Sequence, residues 1–273
     1  THALACRTRK PPINYTGLPM FHTGGFFLWA LPTFSRGGTV LPSPIFDPED
    51  ALKQIQAHGV SALFGPPTLY AALLRQPRFK DYDLRSLEVT ACGAAPVPAG
   101  LVALWEESVG VPLHVGWGMT ELNTMGTWSG LPGKPGPGTI GVPVIGEVKI
   151  AGDDGQVLPR GEAGEILYRG LQAAKGYLNK PDETAATFLP DGWVRTGDLA
   201  SMDNDGFLHF IDRKKDLIIA SGYNIAPVEI EYMILENPCV LEAAVVGVPD
   251  AYRGETVKAF VVLEPEFRGQ VTR

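Results

Sequence analysis

The sequence predicts an α/β protein, and three observations predict it. Apolar strand-like runs alternate with amphipathic helices between residues 47 and 115. Short strands separated by hairpin-type turns occupy residues 139–210. A helix followed by two strands fills the stretch after residue 213. The first pattern implies crossover units and a parallel sheet, and the second an antiparallel sheet or small barrel.

The elements follow in order. Asp47-Pro48-Glu49-Asp50 starts a helix, with Asp as N-cap, Pro at the first helical position and acids in the first turn. Leu52 and Ile55 share one face, and Gly59 ends it. Residues 60–64 form a short apolar strand that Pro66-Pro67 interrupts, and residues 68–74 read as helix. Residues 87–92 are a strand halted by Gly93. Residues 97–109 are a helix with Leu101, Leu104, Trp105 and Val109 at helical spacing, and residues 111–115 the next strand. Gly130 to Gly138 is a Gly/Pro-rich loop. Asp153-Asp154-Gly155 and Asn204-Asp205-Gly206 are hairpin-type turns. The last piece has a helix over 227–236, with Ile230, Met233 and Ile234 inward, then strands over 241–248 and 257–263.

The chain of 273 residues is 45% hydrophobic and 19% charged, ordinary for a soluble globular protein. A net charge of −7 disfavours a general nucleic-acid binder. The runs Arg7-Thr8-Arg9-Lys10 and Arg213-Lys214-Lys215 are short enough to be solvated surface. Cys6, Cys92 and Cys239 show neither zinc spacing nor a disulfide framework, which points to a reducing, cytoplasmic setting. No stretch is long and apolar enough for a transmembrane segment. The chain starts at Thr1 without Met and stops at Arg273, just after a strand, as a piece of a longer protein would.

Ligands of parallel α/β sheets bind beyond the carboxyl ends of the strands. Two unusual loops fall at such ends, Gly93-Ala94-Ala95-Pro96 and Gly116 to Glu121, so they are expected to face one crevice. Trp117 lies between glycines; it is either a core residue or a flat surface for a heteroaromatic ring. The small residues 93–95 form either a tight turn or the opposite wall of a purine slot. Thr120 and Glu121 are either a helix N-cap with its acid or a phosphate donor and a hard oxygen ligand for Mg²⁺. Asp198, after Thr196-Gly197, is either a turn aspartate or an acceptor for vicinal hydroxyls such as those of ribose.

Taken together, the motifs resemble the adenylate-forming superfamily of acyl-CoA synthetases, luciferases and peptide-synthetase adenylation domains. The matching stretches are LPMFHTGG at 18–25, GAAP at 93–96, GWGMTE at 116–121, GEAGEILYRG at 161–170, GWVRTGD at 192–198, DRKKDLI at 212–218 and SGYNIAPVEIE at 221–231, in the family's order. DRKKDLI and SGYNIAPVEIE look more like fatty or aryl acyl-CoA synthetases than peptide-synthetase domains.

The resemblance implies a partial large N-terminal domain followed by the start of a small α+β C-terminal lid domain. Residues 1–138 would be its α/β subdomain, 139–212 its β-rich, barrel-like subdomain, and 213–273 the lid. It implies an ATP-dependent acid–thiol ligase that makes an acyl-adenylate, releases pyrophosphate and passes the acyl group to CoA. ATP, Mg²⁺ and CoA are the implied cofactor and substrates, with a small carboxylic acid as partner. Trp117 stands where the family has a tyrosine on adenine, and Gly93, Ala94, Ala95, Pro96 and Gly118 would flank the nucleotide. Thr120 would contact phosphate and Glu121 would ligate Mg²⁺. Asp198 and Arg213 would hold the ribose. His22 would sit beside the acyl carboxylate, its alternative being a buried core histidine, with Gly116 and Met119 lining the acyl pocket. Phe26, Phe27, Leu28 and Trp29 are either pocket or core, with core expected for at least half. Lys215 would be the hinge, and Ser221, Gly222 and Tyr223 the thiol tunnel.

The family's Ser/Thr/Gly-rich phosphate loop and its late lysine find no match between Thr1 and Arg273. The expectation is a segment inactive by itself. A peptide-synthetase-type domain that loads a carrier protein and a non-catalytic nucleotide- or acyl-binding module are the alternative readings.

Overall fold

The computed structural model describes residues 8–43, 45–130 and 138–270. Cys6, Arg7 and most of the Gly/Pro-rich loop at 130–138 lie outside the described residues. The chain divides into two compact units: Thr1–Lys149 with Leu167–Thr196 and Asp203–His209, and Ile150–Ile166 with Gly197–Met202 and Phe210–Arg273.

In the first unit, β1 (Ile13–Thr16), β2 (Thr39–Pro42), β3 (Ala62–Gly65), β4 (Val89–Cys92) and β5 (Leu113–Trp117) form a sheet in the order β2-β1-β3-β4-β5. Every pairing among them is parallel. The short strand β6 (Thr127–Trp128) returns antiparallel to β5, and β7 (Thr139–Pro143) antiparallel to β6. A π-helical segment, Gly24–Ala30, runs into α1 (Leu31–Ser35); α2 (Pro48–His58), α3 (Pro67–Leu74) and α4 (Ala99–Val109) follow. The Asp47 side chain accepts the Asp50 N–H at 2.7 Å, so α2 starts as its sequence predicts.

Two hydrophobic clusters divide the sheet residues between them. Tyr15, Leu63, Cys92 and Leu113 join Leu52, Ile55, Leu69, Tyr70 and Trp105 from α2, α3 and α4. Ala62, Phe64, Val89 and Ala91 join Leu28, Trp29 and Trp128. Alternate residues of β3 and β4 therefore enter different cores, which is why these strands read as continuous apolar runs rather than alternating ones. Two polar side chains inside the first cluster are satisfied: Tyr70 Oη donates to the Ala91 carbonyl at 2.7 Å, and Trp105 Nε1 donates to Thr90 Oγ1 at 3.1 Å.

Several expectations change. Trp105 is fully buried but Leu104 is 50% exposed, so the inward stripe of α4 is narrower than helical spacing predicts. Leu28 and Trp29 are core and Phe26 and Phe27 partly exposed, so half of that run is core, as expected. Helix α5 (Pro181–Thr187) lies where only short strands were expected, although Pro181, Asp182 and Glu183 give a recognisable helix start.

The strands β8 (Glu147–Ala151), β9 (Gly164–Arg169), β10 (Val194–Met202) and β11 (Leu208–Arg213) are hydrogen-bonded in the order β11-β10-β9-β8, and the division between units falls within them. The first residues of β11, Leu208 and His209, pair antiparallel with β7. Asn204-Asp205-Gly206 makes the expected turn between β10 and β11, with Gly206 N–H on the Asp203 carbonyl.

The second unit ends in a four-stranded sheet of order β13-β12-β15-β14, built from β12 (Ile218–Ala220), β13 (Tyr223–Ile225), β14 (Val240–Asp250) and β15 (Gly254–Leu263). Its pairings are antiparallel. Helix α6 (Pro227–Leu235) packs on β14, and Glu231 accepts the Val245 N–H at 2.8 Å. Met233, expected inward, is 72% exposed; α6 buries only one narrow side.

Candidate active site

In the first unit the predicted loops lie at neighbouring strand ends, because β4 and β5 pair directly. Gly93 closes β4, and a Cβ built on it would lie 2.7 Å from the Gly116 carbonyl oxygen, so the two backbones meet there without room for a side chain. Ala94, Ala95 and Pro96 are exposed, and Ala94 holds a positive φ of 67°. A non-glycine residue in that region stores strain that its surroundings must offset. Cys92, just before this loop, is buried, and burial pushes its thiol well above the ordinary range.

Gly116 and Trp117 are the last residues of β5 rather than loop residues, paired with Trp128 and Thr127 of β6. The Trp117 ring is packed over Gly126, and the residue is 7% exposed. Trp117 thus forms part of the floor of the β5–β6 hairpin and leaves little of its surface open. Gly118 follows under tighter constraint: a Cβ there would fall 1.5 Å from the Thr124 carbonyl oxygen. Thr120–Leu122 is a single 3₁₀ turn entered from Met119, which makes no side-chain cap. Thr120 is its first residue, exposed, and not an N-cap. Asn123 and Thr124 then take positive φ values of 48° and 101°, the latter rare for a β-branched residue. This strained corner turns the chain back so that the Gly126 N–H reaches the Trp117 carbonyl at 2.8 Å.

Glu121 is half-buried, and its Oε1 accepts the Tyr177 hydroxyl at 2.6 Å. Burial and the neighbouring Glu121 carboxylate raise the Tyr177 phenol above its ordinary range, so it stays a donor. Among the described residues no cluster of three or more His, Cys, Asp or Glu side chains could hold a metal ion by itself. A lone carboxylate fits Mg²⁺, which keeps several waters and draws on substrate phosphates rather than on an all-protein cage.

His22 is exposed, which removes its reading as a buried core residue. Its Nδ1 accepts the Gly24 N–H at 2.9 Å, so in the neutral ring Nε2 carries the proton. His114, opposite this stretch in character, is half-buried against Trp128, and burial lowers its affinity for a second proton.

In the second unit Asp198 lies inside β10, neither at a strand end nor in a turn. Gly197 before it has a φ of 71° and donates its N–H to the buried Glu165 carboxylate at 3.2 Å. Asp198 Oδ1 lies 3.8 Å from Arg213 Nε; the Asp side chain is 13% exposed and the Arg side chain 58%. Lys215 lies on an exposed 3₁₀ turn, Lys214–Asp216, directly after β11. Ser221 and Gly222 form the exposed turn between β12 and β13, with φ of 52° and 83°, and Tyr223, also exposed, opens β13.

Sequence reasoning missed Tyr177 and Asp212. Asp212 is 3% exposed; it accepts the Val228 N–H at 3.2 Å in the first turn of α6 and the N–H of Arg213 at 2.7 Å. It anchors the helix start from another element. Neither residue sits in a periodic pattern, and each acts across a sequence gap that one-dimensional patterns do not register.

A family model described as AMP-binding enzyme matches residues 6–178. The chain belongs to the AMP-binding enzyme family. The model of the AMP-binding enzyme C-terminal domain matches residues 229–273. A long-chain-fatty-acid–CoA ligase of Bacillus subtilis is 41% identical over 249 residues, which are 90% of this chain and 44% of that protein. The structure of an anthranilate CoA ligase in complex with anthranoyl-AMP superposes with a TM-score of 0.88 at 31% identity, covering 97% of this chain and 52% of that one. An O-succinylbenzoate coenzyme A synthetase of Bacillus subtilis, in complex with ATP and magnesium ion, gives 0.84 at 33% identity, with 96% and 54% covered. This AMP-binding chain spans about half the length of the relatives it matches. No helix among the described residues is long and apolar enough to cross a membrane.

Proposed function

We propose that this chain is part of an ATP-dependent acid–CoA ligase. The protein would join a carboxylic acid to the α-phosphate of ATP with loss of pyrophosphate, then transfer the acyl group to the thiol of CoA with release of AMP. The observation that carries the reading is the pair of strained loops at the ends of β4 and β5, with a half-buried carboxylate on the second. Relatives that act on a long-chain fatty acid and on anthranilate support fatty or aryl acids as the substrate class.

Each step has a residue to serve it. The backbone of Gly93 to Pro96, with Trp117 and Gly118 beneath, would receive the adenine. Thr120 would donate its hydroxyl to a phosphate oxygen. Glu121 would hold Mg²⁺, which when bound screens the charge that keeps a carboxylate from approaching a polyphosphate. His22 would donate its Nε2–H to the acid's carboxylate and orient it for in-line attack beside Gly116 and Met119. In the second unit, Asp198 would accept hydrogen bonds from ribose hydroxyls, with Arg213 fixing the carboxylate. Ser221, Gly222 and Tyr223 would meet the pantetheine arm, and Lys215 would be the hinge of a lid over 213–273. We place the reaction in the cytoplasm, where ATP and CoA are available.

The test is ATP–pyrophosphate exchange by the full-length protein over a panel of fatty and aryl acids. Exchange that depends on one acid class supports the ligase, and CoA-thioester formation separates it from carrier loading. Binding of ATP with no exchange for any acid would leave only the non-catalytic module. Asp198→Ala should raise the KM for ATP at least tenfold; unchanged kinetics would remove Asp198 from the site.

A further inference from the structure

We propose that Tyr177 is a positioning residue for Glu121: its hydroxyl occupies one carboxylate oxygen and turns the other toward a divalent cation. This rests on the reading of Glu121 as the magnesium ligand. The hydrogen bond of 2.6 Å spans 56 positions of sequence, so it is a tertiary contact and not a local accident. Glu121 needs such a partner. It stands on one 3₁₀ turn, Thr120–Leu122, where a long side chain has no helical neighbours to restrict its torsions.

Tyr177 is itself held from several directions. Its N–H donates to Thr184 Oγ1 at 2.9 Å, and its ring meets Phe188 edge-on at 5.5 Å. Thr184 belongs to α5 and Phe188 directly follows that helix. The Ala174 N–H donates to the Glu121 carbonyl at 2.7 Å. Residues 174–188 thus grip both the backbone and the side chain of Glu121. The choice of donor matters as well. A phenol is neutral, so the carboxylate keeps its full charge for a metal, whereas a lysine or arginine in the same place would cancel it. Hydrogen-bonded partners of metal ligands typically control metal affinity by 10- to 100-fold.

Mn²⁺ replaces Mg²⁺ as a spectroscopic probe. Its binding to the full-length protein with ATP present is followed by the electron paramagnetic resonance of free Mn²⁺, for the wild type, Tyr177→Phe and Glu121→Gln. The expected result is about a tenfold loss of Mn²⁺ affinity for Tyr177→Phe and a larger loss for Glu121→Gln, with metal-free ATP affinity unchanged in Tyr177→Phe. Loss in Glu121→Gln with none in Tyr177→Phe would overturn the positioning role and leave the metal reading standing. Full affinity in Glu121→Gln would overturn both. A second measurement needs no Tyr177 variant: with tyrosine labelled with ¹³C at Cζ, one resonance should move between wild type and Glu121→Gln. If every tyrosine resonance stays in place, the hydrogen bond does not exist in solution and the proposal falls.

Discussion

The turn after β5 and the turn after β12 are both short, both carry a glycine, and both match motifs of one family, yet they are built in opposite ways. At Gly118 the constraint is space: a Cβ would sit 1.5 Å from the Thr124 carbonyl oxygen. At Gly222 it is conformation: φ is 83°, and a Cβ would meet nothing within 4 Å. The first loop is closed on itself, with Thr124 strained, Trp117 on Gly126 and Tyr177 on Glu121. The second stands in solvent, with Ser221, Gly222 and Tyr223 exposed. A loop packed against its own backbone holds charged atoms in fixed places, which electrostatic catalysis requires. A loop anchored through its backbone, here by the Ser221 N–H on the Arg253 carbonyl at 2.8 Å, keeps its side chains free for a partner group.

The contrast can be broken by mutation. Gly118→Ala should have the largest effect, more than about 3 kcal/mol of destabilisation, because backbone rather than a flexible side chain blocks the added methyl. Urea denaturation measures it, and a loss below 1 kcal/mol would mean the corner opens freely. Trp105→Ala should cost about 3–5 kcal/mol by emptying the core beneath α3 and α4, without altering either loop. The check is the same denaturation curve, combined with ATP affinity measured under native conditions. Gly222→Ala should cost only about 1–2 kcal/mol, from the left-handed backbone alone, and CoA-dependent transfer should suffer more than adenylation. Equal loss in both half-reactions would place the loop's role elsewhere.

The smallest effect is expected in the β10–β11 turn. Burial tends to raise the Asp203 carboxyl, but hydrogen bonds from His209 and the Phe207 N–H outweigh it and hold the group below its usual range. A depressed folded-state pKa stabilises above the unfolded value and is lost as pH falls through the folded one. Asp203→Asn should therefore lower the melting temperature slightly at neutral pH and flatten its fall on the acid side. Parallel acid-side slopes for wild type and variant would contradict this.

The legibility of the fold varied with the range of the interactions involved. Asp47 at the start of α2 was readable because a cap acts within one turn, and the β3 and β4 strands because apolar clusters cover both of their faces. Strands β1, β2 and β6 carry only two to four residues of signal each and become strands through their pairing partners. Leu104 and Met233 obey helical spacing and still face outward, since periodicity gives a stripe but not its width.

At the candidate site the residue types were fixed by chemistry that a sequence displays: a carboxylate after a hydroxyl, small residues at strand ends, an imidazole before a glycine pair. Their states were decided by tertiary structure. Only the fold buries Trp117 against Gly126 and moves Asp198 into a strand beside Arg213. Only the fold brings Tyr177 to Glu121. Hydrogen bonds and ring contacts act over a few ångströms in space, and sequence separation does not measure that distance.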